Sequence, residues 1–126
     1  MTVLDSSAIL ALLHNEPGAD LVAARIPGSV VGAANLAEVI SKVIDLHGDQ
    51  KELQRILERS GVVVEPVTRA DAEFAAAIRS LPGGRSLSLG DGCCLALAVR
   101  TQPPSVLTGD RAWKKLNLPI TVELIR

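Results

Sequence analysis

Thr2-Val3-Leu4-Asp5-Ser6-Ser7-Ala8-Ile9-Leu10 decides how the rest of the chain is read. Val3 and Leu4 suit a short buried strand. Asp5-Ser6-Ser7 brings small polar side chains that start helices, with the Ser6 and Ser7 hydroxyls available as N-caps, and Ala8 to Leu13 is a strong helix former. Strand, turn and helix in that order, with a carboxylate at the turn, begin an α/β chain. In such chains ligands bind beyond the carboxyl ends of the strands.

The pattern repeats downstream. Glu16-Pro17-Gly18 breaks the chain, a short helix covers about 19–25, and Pro27-Gly28 precedes the strand Ser29-Val30-Val31. From 34 to 46 apolar residues at 36, 37, 40, 43 and 44 oppose the polar stripe Asn35, Glu38, Lys42 and Asp45, which predicts an amphipathic helix. Residues 49–60 have helical spacing, Val62 to Glu65 read as a strand, and about 70–81 as another helix. After the loop Pro82-Gly83-Gly84, Ser88-x-x-Asp91 has the form of a capping box opening the apolar, buried helix Cys93 to Val99. Gln102-Pro103-Pro104 ends that helix. A strand at 105–107, a short helix at 110–116 and a last strand at 120–125 near the edge complete the alternation. These elements predict a mainly parallel central sheet flanked by helices on both faces, in one domain spanning 1–126.

At 126 residues the chain is long enough for a continuous core. With 48% hydrophobic residues, 21% charged residues and a mean hydropathy of +0.30, some apolar surface is expected to meet a partner. No apolar run approaches a membrane helix and the first residues lack a signal pattern, so a cytoplasmic protein is expected. Cys93 and Cys94 are adjacent, a spacing unsuited to zinc or thiol exchange, and read as small hydrophobes in a reducing compartment. The net charge of −1 means that bound nucleic acid must meet a local basic patch. Phe74 and Trp113 are the only aromatics, too few for a base-stacking platform.

Four acids carry the chemistry: Asp5, Glu38, Asp91 and Asp110. Asp5 and Asp110 follow strands, Asp91 begins the apolar helix, and Glu38 lies early in the helix after the second strand. They are tens of residues apart, so only the fold can gather them. Gathered without a cation, they would repel and take up protons. A hard divalent ion such as Mg²⁺, which prefers oxygen ligands and keeps several waters, removes that penalty and suits phosphodiester cleavage. Each acid also has a purely structural reading: Asp5 and Asp110 as helix caps, Glu38 on a solvated face, Asp91 as the third residue of its capping box.

Read together, the flanking words narrow the choice. Val-Leu-Asp-Ser-Ser-Ala-Ile-Leu at 3–10, Asn-Leu-Ala-Glu-Val-Ile-Ser-Lys at 35–42, Leu-Ser-Leu-Gly-Asp at 87–91 with Cys-Leu-Ala-Leu-Ala at 94–98, and Val-Leu-Thr-Gly-Asp-Arg-Ala-Trp at 106–113 resemble the PIN-domain ribonucleases, above all the VapC-type toxins of toxin–antitoxin pairs. The resemblance covers nearly the whole chain. It implies a PIN-like fold, a metal-dependent endoribonuclease that is the toxin of a toxin–antitoxin pair, and a metal site of Asp5, Glu38, Asp91 and Asp110 with Thr108 as the accompanying hydroxyl. It further implies Mg²⁺ or Mn²⁺ as cofactor, RNA as substrate, a cognate antitoxin protein and a homodimer. Gly92 departs from the pattern, because many relatives carry a basic or larger side chain after the third acid. Arg111, Lys114 and Lys115, or Arg79 and Arg85, are the cations placed to hold phosphates. His14 and His47 read as helix-terminus residues. Of the apolar residues Ile9, Leu10, Leu12, Leu13, Leu21 and Val22, most read as core and the rest as a dimer face or antitoxin groove. Two rival readings are a phosphotransferase using Asp5 as nucleophile, which lacks a second aspartate at position 7, and a catalytically silent PIN-fold module that binds protein or RNA.

Overall fold

In the computed structural model, which describes residues 1–126, β1 (Val3–Leu4) is the central strand of a five-stranded, wholly parallel sheet. Its neighbours are β2 (Val30–Gly32) and β4 (Ser105–Thr108); β3 (Val63–Glu65) and β5 (Thr121–Leu124) form the edges, giving the order β3-β2-β1-β4-β5. Val3 pairs with Val30 on one side and Val106 on the other. The chain first winds outward from β1 to β3 and then returns to the other side of β1. The strand order therefore reverses between β1 and β4, and the crevice beyond their carboxyl ends is the preferred ligand position of an open α/β sheet.

Strand alternation divides the apolar residues between two cores. Leu4, Val31 and Leu107 face one side, where α1 (Ser6–Leu13), α2 (Ala19–Arg25), α3 (Ala33–Asp45) and α4 (Gln50–Ser60) pack. Val3, Val30 and Val106 face the other, beneath α6 (Leu89–Arg100) and the buried Ile78, Leu87 and Trp113. Each such fully buried side chain contributes roughly 1.5–3 kcal/mol. Helices on both faces of a parallel sheet match the sequence expectation. Ile9 and Val22 are buried, and Leu10, Leu12, Leu13 and Leu21 pack against the same core, so that group is mainly internal.

α5 (Arg69–Ala77) lies against α6, close enough that a side chain at Gly92 would press on Ala75. Its start carries a capping box of Thr68 and Asp71 that the sequence reading missed. Asp71 also accepts two hydrogen bonds from Arg100, 3.0 Å each, tying the first turn of α5 to the last turn of α6. Burial pushes the Asp71 carboxyl up, but the Arg100 and Thr68 hydrogen bonds outweigh it and hold the group below the usual carboxylate range.

Three expectations are corrected. Asp5, rather than Ser6 or Ser7, is the N-cap residue of α1, and no side chain caps the helix; Asp5 and Ser7 bond to each other and to Thr108 and Gly109 at the end of β4 instead. The helix expected at 70–81 ends at Ala77 and gives way to a 3₁₀ turn over Ile78–Ser80; the turn at Arg111–Lys115 is likewise 3₁₀. The buried stripe of α3 is Asn35, Val39 and Val43, rotated from the apolar set at 36, 37, 40, 43 and 44. Ile44 is 50% exposed, while Leu36 and Ile40 line a groove against Leu57 of α4. The rotation is possible because the buried amide of Asn35 finds partners in the site described next.

Candidate active site

Asp5 is 4% exposed at the end of β1, a costly place for a carboxylate. Two hydroxyls hold one of its oxygens. Ser7 Oγ donates to Asp5 Oδ2 at 2.7 Å, and Thr108 Oγ1 donates to the same oxygen at 2.8 Å. The direction of both bonds is fixed by chemistry, since each hydroxyl has one proton and its lone pairs already accept a backbone N–H. Gly109 N–H donates to Ser7 Oγ at 2.9 Å, and Asp110 N–H donates to Thr108 Oγ1 at 3.0 Å. The ends of β1 and β4 are thus laced together through one carboxylate oxygen.

The other oxygen, Asp5 Oδ1, is buried and has no partner in the chain. Burial raises the Asp5 carboxyl above its ordinary value; the Ser7 and Thr108 bonds oppose this, and the charge of Asp91 adds to the rise. An unpartnered, buried, acceptor-only oxygen close enough to Asp91 to feel its charge has the chemistry of a cation ligand.

Glu38, on α3, is half-buried, and its position depends on two residues that sequence reasoning passed over. The side-chain NH₂ of the fully buried Asn35 donates to Glu38 Oε1 at 2.9 Å and to the Gly90 carbonyl at 3.1 Å. Both partners are acceptors, so only the amide nitrogen can face them. Gly90 has no side chain because a Cβ there would overlap the Glu38 carboxylate. The signal for both was present in the sequence, as an amide one turn before Glu38 and a glycine immediately before Asp91, but nothing local joins them.

Asp91 completes the capping box of α6: its Oδ2 accepts the Ser88 N–H at 2.9 Å, and Ser88 Oγ accepts the Asp91 N–H at 3.1 Å. The structural reading of Asp91 is therefore correct, and its second oxygen carries no bond within the chain. Cys94 lies on the same helix, three residues after Asp91. Its thiol is pushed well up, first by burial and then by the charges of Asp5, Asp91 and Glu38. Asp110 stands apart. It is exposed, and Oδ1 caps the 3₁₀ turn by accepting the Ala112 N–H at 3.0 Å, so its link to the centre runs through its own N–H and Thr108.

The acids do not form a ready-made cage: no three of the His, Cys, Asp and Glu side chains are spaced to enclose an ion. That openness excludes a tight structural site of the zinc type. It suits Mg²⁺ or Mn²⁺, which keeps several waters and needs one or two carboxylates from the protein. The donor set is oxygen throughout, and the orphaned Asp5 Oδ1 fits such an ion.

Two predictions follow from this geometry. Because burial raises the Asp5 carboxyl above 3.8, the native state holds its proton longer than the unfolded chain as pH rises, and the metal-free fold loses stability through and above that range. Asp5→Asn removes this loss, so in chelator its melting temperature exceeds wild type at pH 7, with a smaller difference at pH 4; a lower melting temperature at pH 7 would contradict the account. Gly90→Ala keeps the fold, since alanine is the better helix former by about 1 kcal/mol, but displaces Glu38. Calorimetric titration with Mn²⁺ should show affinity lowered about 10- to 100-fold, the usual range for disturbed ligand support; unchanged affinity would remove Glu38 from the metal set.

The comparisons agree with this architecture. The sequence profile described as "PIN domain" matches residues 2–118. No curated protein sequence matches the chain at a significant level. Among solved structures, it is similar to a toxin–antitoxin complex from Klebsiella pneumoniae, at 18% identity and TM-score 0.67 over 87% of each chain. It is also similar to VapBC2 from Rickettsia felis bound to a promoter DNA fragment, at 13% identity and TM-score 0.70 over 98% of this chain and 97% of the other. FitAcB from Neisseria gonorrhoeae gives 22% identity and TM-score 0.68 over 97% and 96%. At these identities the likeness establishes the fold, and the profile match establishes the family: the chain belongs to the PIN-domain family.

Proposed function

We propose that this protein is a divalent-metal-dependent endoribonuclease, the VapC-type toxin of a toxin–antitoxin pair, with residues 1–126 acting as one PIN domain in the cytoplasm. The observation that carries the reading is Asp5: a buried carboxylate at the strand-order reversal, with one oxygen held by two hydroxyls and the other unpartnered. The family match supports nuclease chemistry, and the toxin–antitoxin context of the similar structures supports an antitoxin partner. A homodimer and occlusion of the site by the antitoxin belong to the same reading.

In this proposal Asp5 and Asp91 hold Mg²⁺ or Mn²⁺, while Glu38 and Asp110 hold a second ion or order the attacking water. The metal, when bound, supplies Lewis acidity and a bound water of lowered pKa. The Ser7 and Thr108 hydrogen bonds favour the charged form of Asp5 against the burial that opposes it, and they fix the direction of its carboxylate. Asn35 fixes Glu38 against the first turn of α6, so Glu38 enters the reaction already oriented. The Glu38 carboxylate would accept a proton from the attacking water as its oxygen bonds to phosphorus; the P–O3′ bond breaks in line, the phosphate stays on the downstream 5′ end, and the released 3′ oxygen takes a proton from solvent. No histidine takes part: His14 and His47 sit at the ends of α1 and α3, with His47 in the left-handed region at φ 59°.

The test is RNA cleavage by wild type in Mg²⁺, in Mn²⁺ and in chelator, beside Asp5→Asn. Wild type should cut only with metal, and Asp5→Asn should lose at least about 100-fold while remaining folded. Equal cleavage by the two proteins, or cleavage in chelator, would defeat the proposal. Stoichiometric Mn²⁺ binding without any cleavage of RNA would favour the silent binding module.

A further inference from the structure

An active site that cuts a phosphodiester needs a cation for the substrate as well as anions for the metal. Position 92, where many relatives carry a basic or larger side chain, cannot supply one. Gly92 is buried against α5, and even a Cβ would sit 2.9 Å from the Ala75 Cβ. The cation-bearing helix proposed from sequence is a 3₁₀ turn whose Arg111, Lys114 and Lys115 are exposed. Arg79 and Arg85 line a cleft of their own with Ser80, Pro82, Gly83 and Ser86.

One other guanidinium stands beside Gly109, the residue that bonds Ser7, and no motif marked it. β5 runs parallel to β4, with Leu124 opposite Thr108 and the Ile125 N–H donating to the Thr108 carbonyl at 3.0 Å. This register carries the chain past the end of β4 and sets Arg126 beside Gly109. The point where a Gly109 Cβ would lie is 3.3 Å from Arg126 Nη2, 3.5 Å from its Cζ and 3.5 Å from Ser7 Oγ. The guanidinium and the hydroxyl that fastens Asp5 thus flank the same bare backbone. Arg126 Nη1 donates to the Pro17 carbonyl at 3.1 Å, which holds the fork in place. That approach depends on Gly18, at φ 98°, where a side chain would run into the Ile125 carbonyl.

No carboxylate pairs with Arg126; the ion pairs of the protein use Arg25, Arg55, Arg69 and Arg100. An arginine held by one carbonyl, at the edge of a carboxylate centre yet unpaired, keeps its remaining N–H groups for an incoming anion. A planar fork matches two oxygens of a phosphate, and does so better than an ammonium.

We infer that Arg126 is the phosphate anchor of this active site, gripping an RNA backbone phosphate beside the scissile bond from the β5 side. The inference rests on the nuclease reading above. The absence of a side chain at Gly109 lets the guanidinium lie over the backbone there, and Pro17 and Gly18 form the bracket that positions the fork.

The experiment compares wild type, Arg126→Gln and Arg126→Lys in steady-state cleavage of a single-stranded RNA oligonucleotide with Mn²⁺ across a KCl series. Arg126 is exposed, so melting temperatures should agree among the three. Arg126→Gln should raise KM about tenfold with kcat little changed, the loss expected of one charge-assisted phosphate contact. The slope of log affinity against log salt should shrink by about 0.7, one phosphate contact on a single strand. Arg126→Lys should restore the slope but only part of the KM. Active wild type with unchanged KM and slope in Arg126→Gln would overturn the anchor and leave the nuclease reading standing. A fall in kcat alone would overturn it too, by moving the role to the chemical step. Wild type that neither binds nor cuts RNA with metal would overturn both.

Discussion

A carboxylate buried at the end of the central strand, bonded through one oxygen and bare at the other, is the constraint around which this molecule is arranged. The Asp5 Oδ2 atom collects the only protons of Ser7 and Thr108, and those hydroxyls in turn collect the N–H groups of Gly109 and Asp110. Ser7, Thr108, Gly109 and Asp110, from the segments that follow β1 and end β4, are thus tied to one acceptor atom. Isolated burial of such a charge is expensive, and the hydroxyls offset only part of it. Stability alone gives no reason to retain the charge, because an amide would satisfy the same hydroxyls. The divalent cation of the proposed function, held at Oδ1, would give one.

The supports for Glu38 follow the same logic at the second strand. An amide with two donors, shielded from water between β2 and the start of α6, spans the gap to Glu38 and the Gly90 carbonyl. Glycine at 90 permits the approach, and the tight α5–α6 contact at Gly92 sets the position of that helix end. Close packing on the side away from the pocket therefore determines where two of the acids stand. The same packing removes position 92 as a source of positive charge.

Much of the fold could be read from residues such as Val3, Leu4, Val30, Val31, Val106 and Leu107, because short apolar runs between helices specify a parallel sheet with both faces covered. The Ser88–Asp91 capping box was equally legible, being a local signal. What escaped reading was non-local. The buried face of α3 was misjudged because the NH₂ of Asn35, polar by type, finds acceptors in Glu38 on its own helix and the Gly90 carbonyl of α6, while Ile44 stays half-exposed. Ser7 appeared to be a helix cap, since its true partners lie on β4 at the other end of the chain. Arg126 had no motif around it; only the register of β5 against β4 brings it to Gly109. Among the acids, Asp91 was read correctly as part of a capping box, whereas the Asp110 side chain turns to cap its own 3₁₀ turn.

The most direct measurement is anomalous diffraction from crystals of the protein grown with Mn²⁺. The account predicts a manganese peak bound to Asp5 Oδ1, on the side facing Asp91, and its loss in Asp5→Asn crystals grown the same way. Well-ordered wild-type crystals with no manganese at Asp5 at saturating concentration, or with manganese bound only elsewhere, would contradict it.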